Sequence, residues 1–516
     1  MSGAPAAPYL LHHLLERTAA AHPSKEALVD GERRLDYAAF REAAGRCAAS
    51  LLAAGLAPRD RVAIHLPKSA EEAWAIFGAS WAGGVFVPVN ALLRPAQVRH
   101  IVEDCRVRFL ITSAQRWETL RGEVATVERV LLVDDPSHWP ASGVAVAPAR
   151  IGEDLAAILY TSGSTGRPKG VMLSHRNLLA GSRIVSTYLG IRHDERILSV
   201  LPFSFDYGLN QLITATEHGA TTVMLTFRFG EEIVRKIDAE RCTALAGVPT
   251  IWAVLTQATP SFRKRKLESL RYITNSGGAV PTETVRQLRE ALPHVQLFLM
   301  YGLTEAFRST YLPPSELDRR PGSMGKAIPE TEIFLVNAQG ERCKPGEAGI
   351  LVHRGPTVSL GYWERPEETA AVLRPNPLIP PLQGADVVCY SGDLVRMDAD
   401  GYFHFVGRND AMIKSSGYRI SPSEVEEVLM KGGALAQVAV IGLPDPVMGE
   451  RVHAVAVAGA GGPPDKAELL AHCARELPPH MVPRDVEFVP ELPRSPNGKV
   501  DYKLLKAERA AGTVKA

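Results

Sequence analysis

The sequence lacks any C-x-x-C pair. Its six cysteines, Cys47, Cys105, Cys242, Cys343, Cys389 and Cys473, stand singly, so neither a zinc site nor a disulfide framework is written in it, and a reducing cytoplasm is the expected compartment. A surplus of one charge is missing too, since 58 Lys and Arg face 57 Asp and Glu for a formal net charge of +1. That balance argues against a protein held to nucleic acid or to a membrane surface by long-range electrostatics, and favours a small partner. No apolar run reaches membrane-spanning length without Gly, Pro or charge breaking it. The N-terminal "MSGAPAAPYLLHHLLERTAAAHP" has neither a basic start nor a long apolar core, so neither membrane insertion nor export is expected. Internal repeats are absent as well.

What is present is length and alternation. A chain of 516 residues is too long for one core, so two or more domains are expected. From residue 25 to about 330, short β-branched runs alternate with helical patterns. "RVAIHLP" reads as a buried strand, "SAEEAWAIFGASWAGG" as a helix capped by Ser69, and "VFVPVN" as the next strand. Such alternation specifies parallel sheets covered by helices. Between 331 and 408 the texture turns to short strands and turns without helices, interrupted by the Pro-rich loop "RPNPLIPPLQG". A compact mixture of helix and strand follows from 409.

Against this background "YTSGSTGRPKG", Tyr160 to Gly170, packs three glycines, five hydroxyl side chains and one lysine directly after the apolar "LAAIL". Glycines let backbone N–H groups converge on an anion, Ser and Thr add donors, and Lys169 adds a full charge, so phosphate is the natural occupant. The usual nucleotide templates fail. G-x-x-x-x-G-K-[ST] is broken by Pro168, and G-x-G-x-x-G is absent.

The stretch resembles the phosphate loop of the AMP-forming adenylating superfamily, which holds acyl-CoA synthetases, adenylation domains of nonribosomal peptide synthetases, and luciferases. "YGLTEA" (301–306), "YSGDL" (390–394), "GRNDAMIKSSGYRI" (407–420) and "PNGKVDYKLL" (496–505) are similar to its later signatures, in order. The resemblance implies an α/β protein in two parts. A large domain over 1–408 would hold two doubly wound parallel-sheet subdomains and, over 331–408, a β-barrel-like one. A small mobile α+β domain would follow over 409–516. It also implies an acid–thiol ligase that uses ATP and Mg²⁺ to turn a carboxylic acid into an acyl adenylate, then passes the acyl group to coenzyme A or a phosphopantetheinyl carrier protein. In that scheme Thr161, Ser162, Gly163, Ser164, Thr165, Gly166 and Lys169 hold the outer phosphates. Thr304 contacts the α-phosphate and Glu305 helps hold Mg²⁺. Tyr301 stacks on adenine, and Gly277, Gly278 and Gly302 border the nucleotide. Asp393 takes the ribose hydroxyls, with Arg408 beside it. Lys499 bridges the acid and ATP during adenylation, Asp410 is the turning point of the small domain, and Gly417 meets the adenylate afterwards.

The acid is less legible. Many acyl-CoA synthetases read L-P-L-F-H where this chain has "LPFSFD", with Phe205 at the histidine position. "FSFD" is instead similar to amino-acid-activating domains, and a carboxylate in an apolar pocket is costly without a cation. Asp206 therefore points to an amine-bearing acid, or else only turns the chain locally. By resemblance Tyr207, Met300, Arg308 and Ser309 also line the pocket; Arg308 is expected to be exposed or, if it faces inward, to pair with a second carboxylate. The hinge region looks like that of CoA ligases, and no carrier or condensation pattern follows within these residues. The chain also resembles free-standing acyl-CoA ligases found with exosortase systems, while amino-acid:carrier-protein ligases remain compatible. A non-catalytic nucleotide- or acyl-binding module is disfavoured because the phosphate loop, Glu305 and Lys499 are intact, and nothing supports an oxygenase.

Overall fold

The computed structural model describes residues 7–140, 149–161, 168–380, 386–408, 412–415, 418–431, 433–445 and 448–513. Two sheets organise the large domain. In the first, strands Arg129–Leu132, Phe109–Thr112, Arg61–His65, Val85–Pro88 and Leu155–Thr161 lie side by side in parallel, and Lys169–Ser174 closes the edge antiparallel to Leu155–Thr161. The second carries a parallel run from Glu26–Asp30 through Thr221–Met224, Arg196–Ser199, Ala244–Gly247 and Tyr272–Asn275 to Gln296–Tyr301. Inner strands such as Val85–Pro88, Phe109–Thr112, Thr221–Met224 and Tyr272–Asn275 are buried along their whole length, which is why such strands show no polar alternation.

Helices Leu11–Ala21, Tyr37–Ala53, Ala70–Trp81, His175–Leu189 and Asp206–His218 pack on one another. A single apolar cluster joins them to Val62, Ile64 and Phe86 of the first sheet and to Leu28 and Met224 of the second, so these helices form the layer between the sheets. Their starts are written locally. Ser69 Oγ accepts from the Glu72 amide at 3.3 Å, Asp36 from the Ala39 amide at 2.7 Å, and Ser174 and Asn177 cap each other reciprocally.

The β-rich stretch is hydrogen-bonded into the second sheet. From Gln296–Tyr301 the ladder continues antiparallel through Thr310–Leu312 and Ser323–Ala327 to Phe403–Arg408, Val387–Met397, Ala348–Arg354 and Glu332–Val336. One feature departs from the expectation of no helix there. Pro366–Val372 is helical, started by Pro366 with Glu367 and Glu368 in its first turn, and none of it is buried; with no apolar stripe, no helical period shows in the sequence.

The C-terminal part is α+β. The long hairpin Leu435–Asp445 and Gly449–Ala458 is joined by Asp485–Phe488, with Pro422–Met430 and Lys466–Glu476 on one face and Tyr502–Thr513 on the other. All six cysteines are buried free thiols. Among the described residues no helix is long and apolar enough to cross a membrane.

Phe77, with no exposed surface, meets Phe40 edge to face at 5.3 Å in the helical layer. Phe77→Ala is expected to cost about 3–5 kcal/mol of unfolding free energy, read from chemical denaturation of the large-domain transition.

Candidate active site

The lysine of "PNGKVD" leaves its own domain. Residues 493–501 fold into a turn in which Ser495 donates its amide to Lys499 O at 2.7 Å and Gly498 takes a positive φ of 78°, a backbone state suited to glycine. Two bonds hold this turn on the large domain: Asn90 Nδ2 donates to Pro496 O at 3.0 Å and Thr250 Oγ1 to Gly498 O at 2.9 Å. The Lys499 ammonium ends 5.0 Å from the centre of the Phe205 ring. Loss of water pushes its pKa down from the usual lysine range, against the pull of the Asp206, Glu305 and Asp393 carboxylates, while Arg308 adds to the depression. Carboxylates from three separate motifs, "LPFSFD", "YGLTEA" and "YSGDL", thus act on one ammonium.

Gly277 has a reason that the sequence did not disclose. At φ +86°, a Cβ there would lie 2.9 Å from Lys499 Cε, so the glycine clears the path of the lysine. Beside it, Gly278 O accepts from Asn275 Nδ2 at 2.9 Å. A Cβ at Gly302 would fall 3.0 Å from Arg308 Cα.

Asp206 opens the helix Asp206–His218 and is buried. Its cation is already in the chain: Arg308 Nη1 donates to Asp206 Oδ2 at 2.8 Å, the two side chains being 2% and 5% exposed. Thr304 Oγ1 reaches Asp206 Oδ1 at 3.4 Å. Arg308 is thus inward and paired, not exposed, and Asp206 does not depend on a substrate ammonium for neutralisation. The segment before it is pinned by Lys68 Nζ, which donates to Ser199 O at 3.0 Å and to Leu201 O. Tyr207 is held by its hydroxyl on Thr274 O at 2.8 Å, and Met300 Sδ accepts from Tyr188 at 3.0 Å. Ser309 turns instead to His353, whose other ring nitrogen meets Thr357; burial pushes this imidazole down to about 3, so it stays neutral.

Glu305 sits between the phosphate-loop hairpin and the β-rich stretch. The Tyr362 hydroxyl donates to Glu305 Oε1 at 2.6 Å, and the Ser359 amide donates to Glu305 O at 2.8 Å. Oε2 accepts no hydrogen bond among the described residues, which leaves a hard oxygen for a cation. The Tyr362 segment also extends the hairpin: Met172 donates to Gly361 O and Trp363 to Gly170 O, each at 2.8 Å. Lys169, paired with Thr161 in that hairpin, lies 5.4 Å from the Tyr362 ring and 3.9 Å from Glu368. Nothing in the sequence singles out Tyr362, because "LGYWERP" carries no charge or glycine pattern of a site.

On the far side the Tyr301 hydroxyl donates to Asp393 Oδ2, and Arg408 Nη1 lies 3.2 Å from Asp393 Oδ1. The register that sets Asp393 opposite Arg408 fixes this pair. Ser162, Gly163, Ser164, Thr165, Gly166, Asp410 and Gly417 lie outside the described residues.

Two family matches fall on this architecture: "AMP-binding enzyme" over residues 15–363 and "AMP-binding enzyme C-terminal domain" over 424–499. The chain belongs to the AMP-binding enzyme family. Among its relatives, a feruloyl-CoA synthase from Amycolatopsis is 36% identical, covering 94% of this chain and 96% of that protein. A linear gramicidin synthase from Brevibacillus parabrevis is 31% identical across 96% of this chain, which spans 6% of that much longer polypeptide. The crystal structure of an anthranilate CoA ligase in complex with anthranoyl-AMP superposes with a TM-score of 0.90 at 27% identity over 99% of each chain.

Gly277→Ala adds a Cβ at positive φ against Lys499. It is expected to cost about 1 kcal/mol in stability and to lower ATP–pyrophosphate exchange on the order of 100-fold through displacement of the ammonium.

Proposed function

We propose that this member of the family activates a carboxylic acid with ATP as an acyl adenylate, releases pyrophosphate, and transfers the acyl group to the thiol of coenzyme A. The observation that carries the reading is Lys499, delivered from the small domain into a cluster of carboxylates and a guanidinium on the large one. A carboxylate is a poor acyl donor because its leaving group would be oxide. Attack of its oxygen on the α-phosphorus of ATP converts it into a mixed anhydride, with pyrophosphate leaving. Negative charge accumulates on the transferring phosphoryl group, and fixed positive charge in a dry site stabilises it.

Lys499 supplies that charge between the acid and the α-phosphate, joined by the Thr304 hydroxyl. Lys169 and the loop from Thr161 to Gly166 hold the leaving phosphates, and Glu305 Oε2, which accepts no hydrogen bond among the described residues, suits Mg²⁺, which needs few protein ligands when phosphates provide the rest. Tyr301 borders the adenine between Gly277, Gly278 and Gly302. Asp393 takes the ribose hydroxyls, oriented by Tyr301 and Arg408. Phe205, Asp206, Tyr207, Met300 and Arg308 wall the acyl group. For the second step the small domain, placed from residue 409, turns about Asp410 and brings Gly417 to the adenylate, where the thiolate displaces AMP. The likeness to the feruloyl and anthranilate ligases supports coenzyme A as acceptor. A carrier-protein thiol is the second reading, supported by the match to the gramicidin synthase.

Lys499→Ala is expected to lose roughly 100- to 1,000-fold in acid-dependent pyrophosphate release, with thiol transfer from preformed adenylate retained; equal loss in both halves contradicts the reading. Because the Lys499 pKa is lowered, its working ammonium is lost as pH rises, and adenylation falls off below the ordinary lysine range. Lys499→Arg should move that alkaline limb upward, since a guanidinium keeps its proton. Asp410→Pro should preserve exchange and abolish thioester formation, measured on the same preparation.

A further inference from the structure

The Asp206–Arg308 pair is balanced in charge but not in hydrogen bonds. Arg308 Nη1 serves both Asp206 Oδ2 and Phe307 O, while Nε and Nη2 are buried with no acceptor among the described residues. One helical turn on from Asp206, Asn210 Nδ2 is likewise buried and unpartnered. The guanidinium carbon lies 4.8 Å from the Tyr207 ring and 5.4 Å from that of Phe307, and neither ring gives the in-plane N–H groups an oxygen. Phe307 cannot move aside easily, since it fills the space where a Cβ on Gly181 would come within 2.2 Å. The pair borders the reacting groups: the Thr304 hydroxyl reaches Asp206 Oδ1 at 3.4 Å, and the Lys499 ammonium lies 5.0 Å from the ring of Phe205, the residue before Asp206.

Buried donors without acceptors are costly, and a ligand that satisfies them gains accordingly. An alkyl chain would leave them unmade. An ammonium would face N–H groups of a cation whose counter-charge is already spent on it. A second carboxylate would add one excess negative charge beside Asp206. Resting on the ligase reading above, we infer that the acid carries an uncharged oxygen acceptor, a hydroxyl or carbonyl on its acyl body, which takes the free Nε and Nη2 edge of Arg308. This replaces the amine-bearing acid that Asp206 alone implies.

The test is ATP–pyrophosphate exchange with hexanoate and 3-phenylpropanoate, each beside its hydroxylated, keto, ammonium-bearing and second-carboxylate analogues. In parallel, the same acids are titrated calorimetrically onto the whole enzyme with a non-hydrolysable ATP analogue. At least one hydroxy or keto acid should exceed its unsubstituted parent in kcat/KM by about tenfold or more, the usual scale for a hydrogen bond to a charged donor. It should also exceed the ammonium and dicarboxylate analogues. Arg308→Lys, which keeps the charge but removes the fork, should collapse that ratio toward one. Asp206→Asn, which frees the charge of Arg308, should shift preference toward the dicarboxylate. Preference for the unsubstituted, aminated or dicarboxylic acid, or an unchanged ratio in Arg308→Lys with an unchanged melting temperature, overturns the inference while exchange upholds the ligase. Selective binding without exchange of any acid does the reverse.

Discussion

A lysine ammonium is costly to take out of water, and the placement of Lys499 is the constraint that the rest of the site serves. The ammonium is not built into the large domain, where it would sit permanently desolvated beside its partners. It arrives on a turn from another domain, held by two side-chain bonds to backbone carbonyls, from Asn90 and Thr250. Carboxylates at 206, 305 and 393 offset part of the desolvation, and glycines at 277 and 498 give the passage and the bend. The closed arrangement is therefore a balance between lost hydration and gained charge pairing, which substrate carboxylate and phosphate would tip further toward closure.

The second buried charge problem is solved differently. Asp206 and Arg308 neutralise each other within the large domain at the edge of that compartment. Breaking either member would leave the other stranded, a larger loss than the pair itself is worth. The pair fixes Thr304 as well, since its hydroxyl also reaches Asp206. One carboxylate thus ties Arg308 to the Thr304 hydroxyl.

Much of this architecture is legible in the sequence. Buried parallel strands such as Val85–Pro88 show as apolar runs, and caps such as Ser69 mark helix starts, because both are local signals. Motif order picks out Lys499, Glu305, Asp206 and Asp393, which the fold brings to one side-chain cluster. What escapes is relational. An arginine is expected at the surface because arginines usually are, and the partner that buries Arg308 lies 102 positions away. Tyr362 has no pattern of its own until the fold sets it on Glu305, 57 positions away. Gly277 looks like any nucleotide-loop glycine until Lys499 passes it. The helix Pro366–Val372 buries nothing, so it leaves no periodicity to read.

The continuous ladder from the second parallel sheet to Arg408 has a mechanical consequence. Tyr301 ends one strand of it, and Asp393 and Arg408 face each other across its far part, so this side of the candidate site is carried by hydrogen-bonded backbone as far as Arg408. In the proposed cycle, torque from a domain turning beyond Arg408 would be taken up by this hydrogen-bonded ribbon. On the proposed reading the ribbon would be a stator: the seat of the nucleotide would keep its register while the small domain exchanged one face for another, so that the adenylate would not have to be released and rebound between the two halves of the reaction.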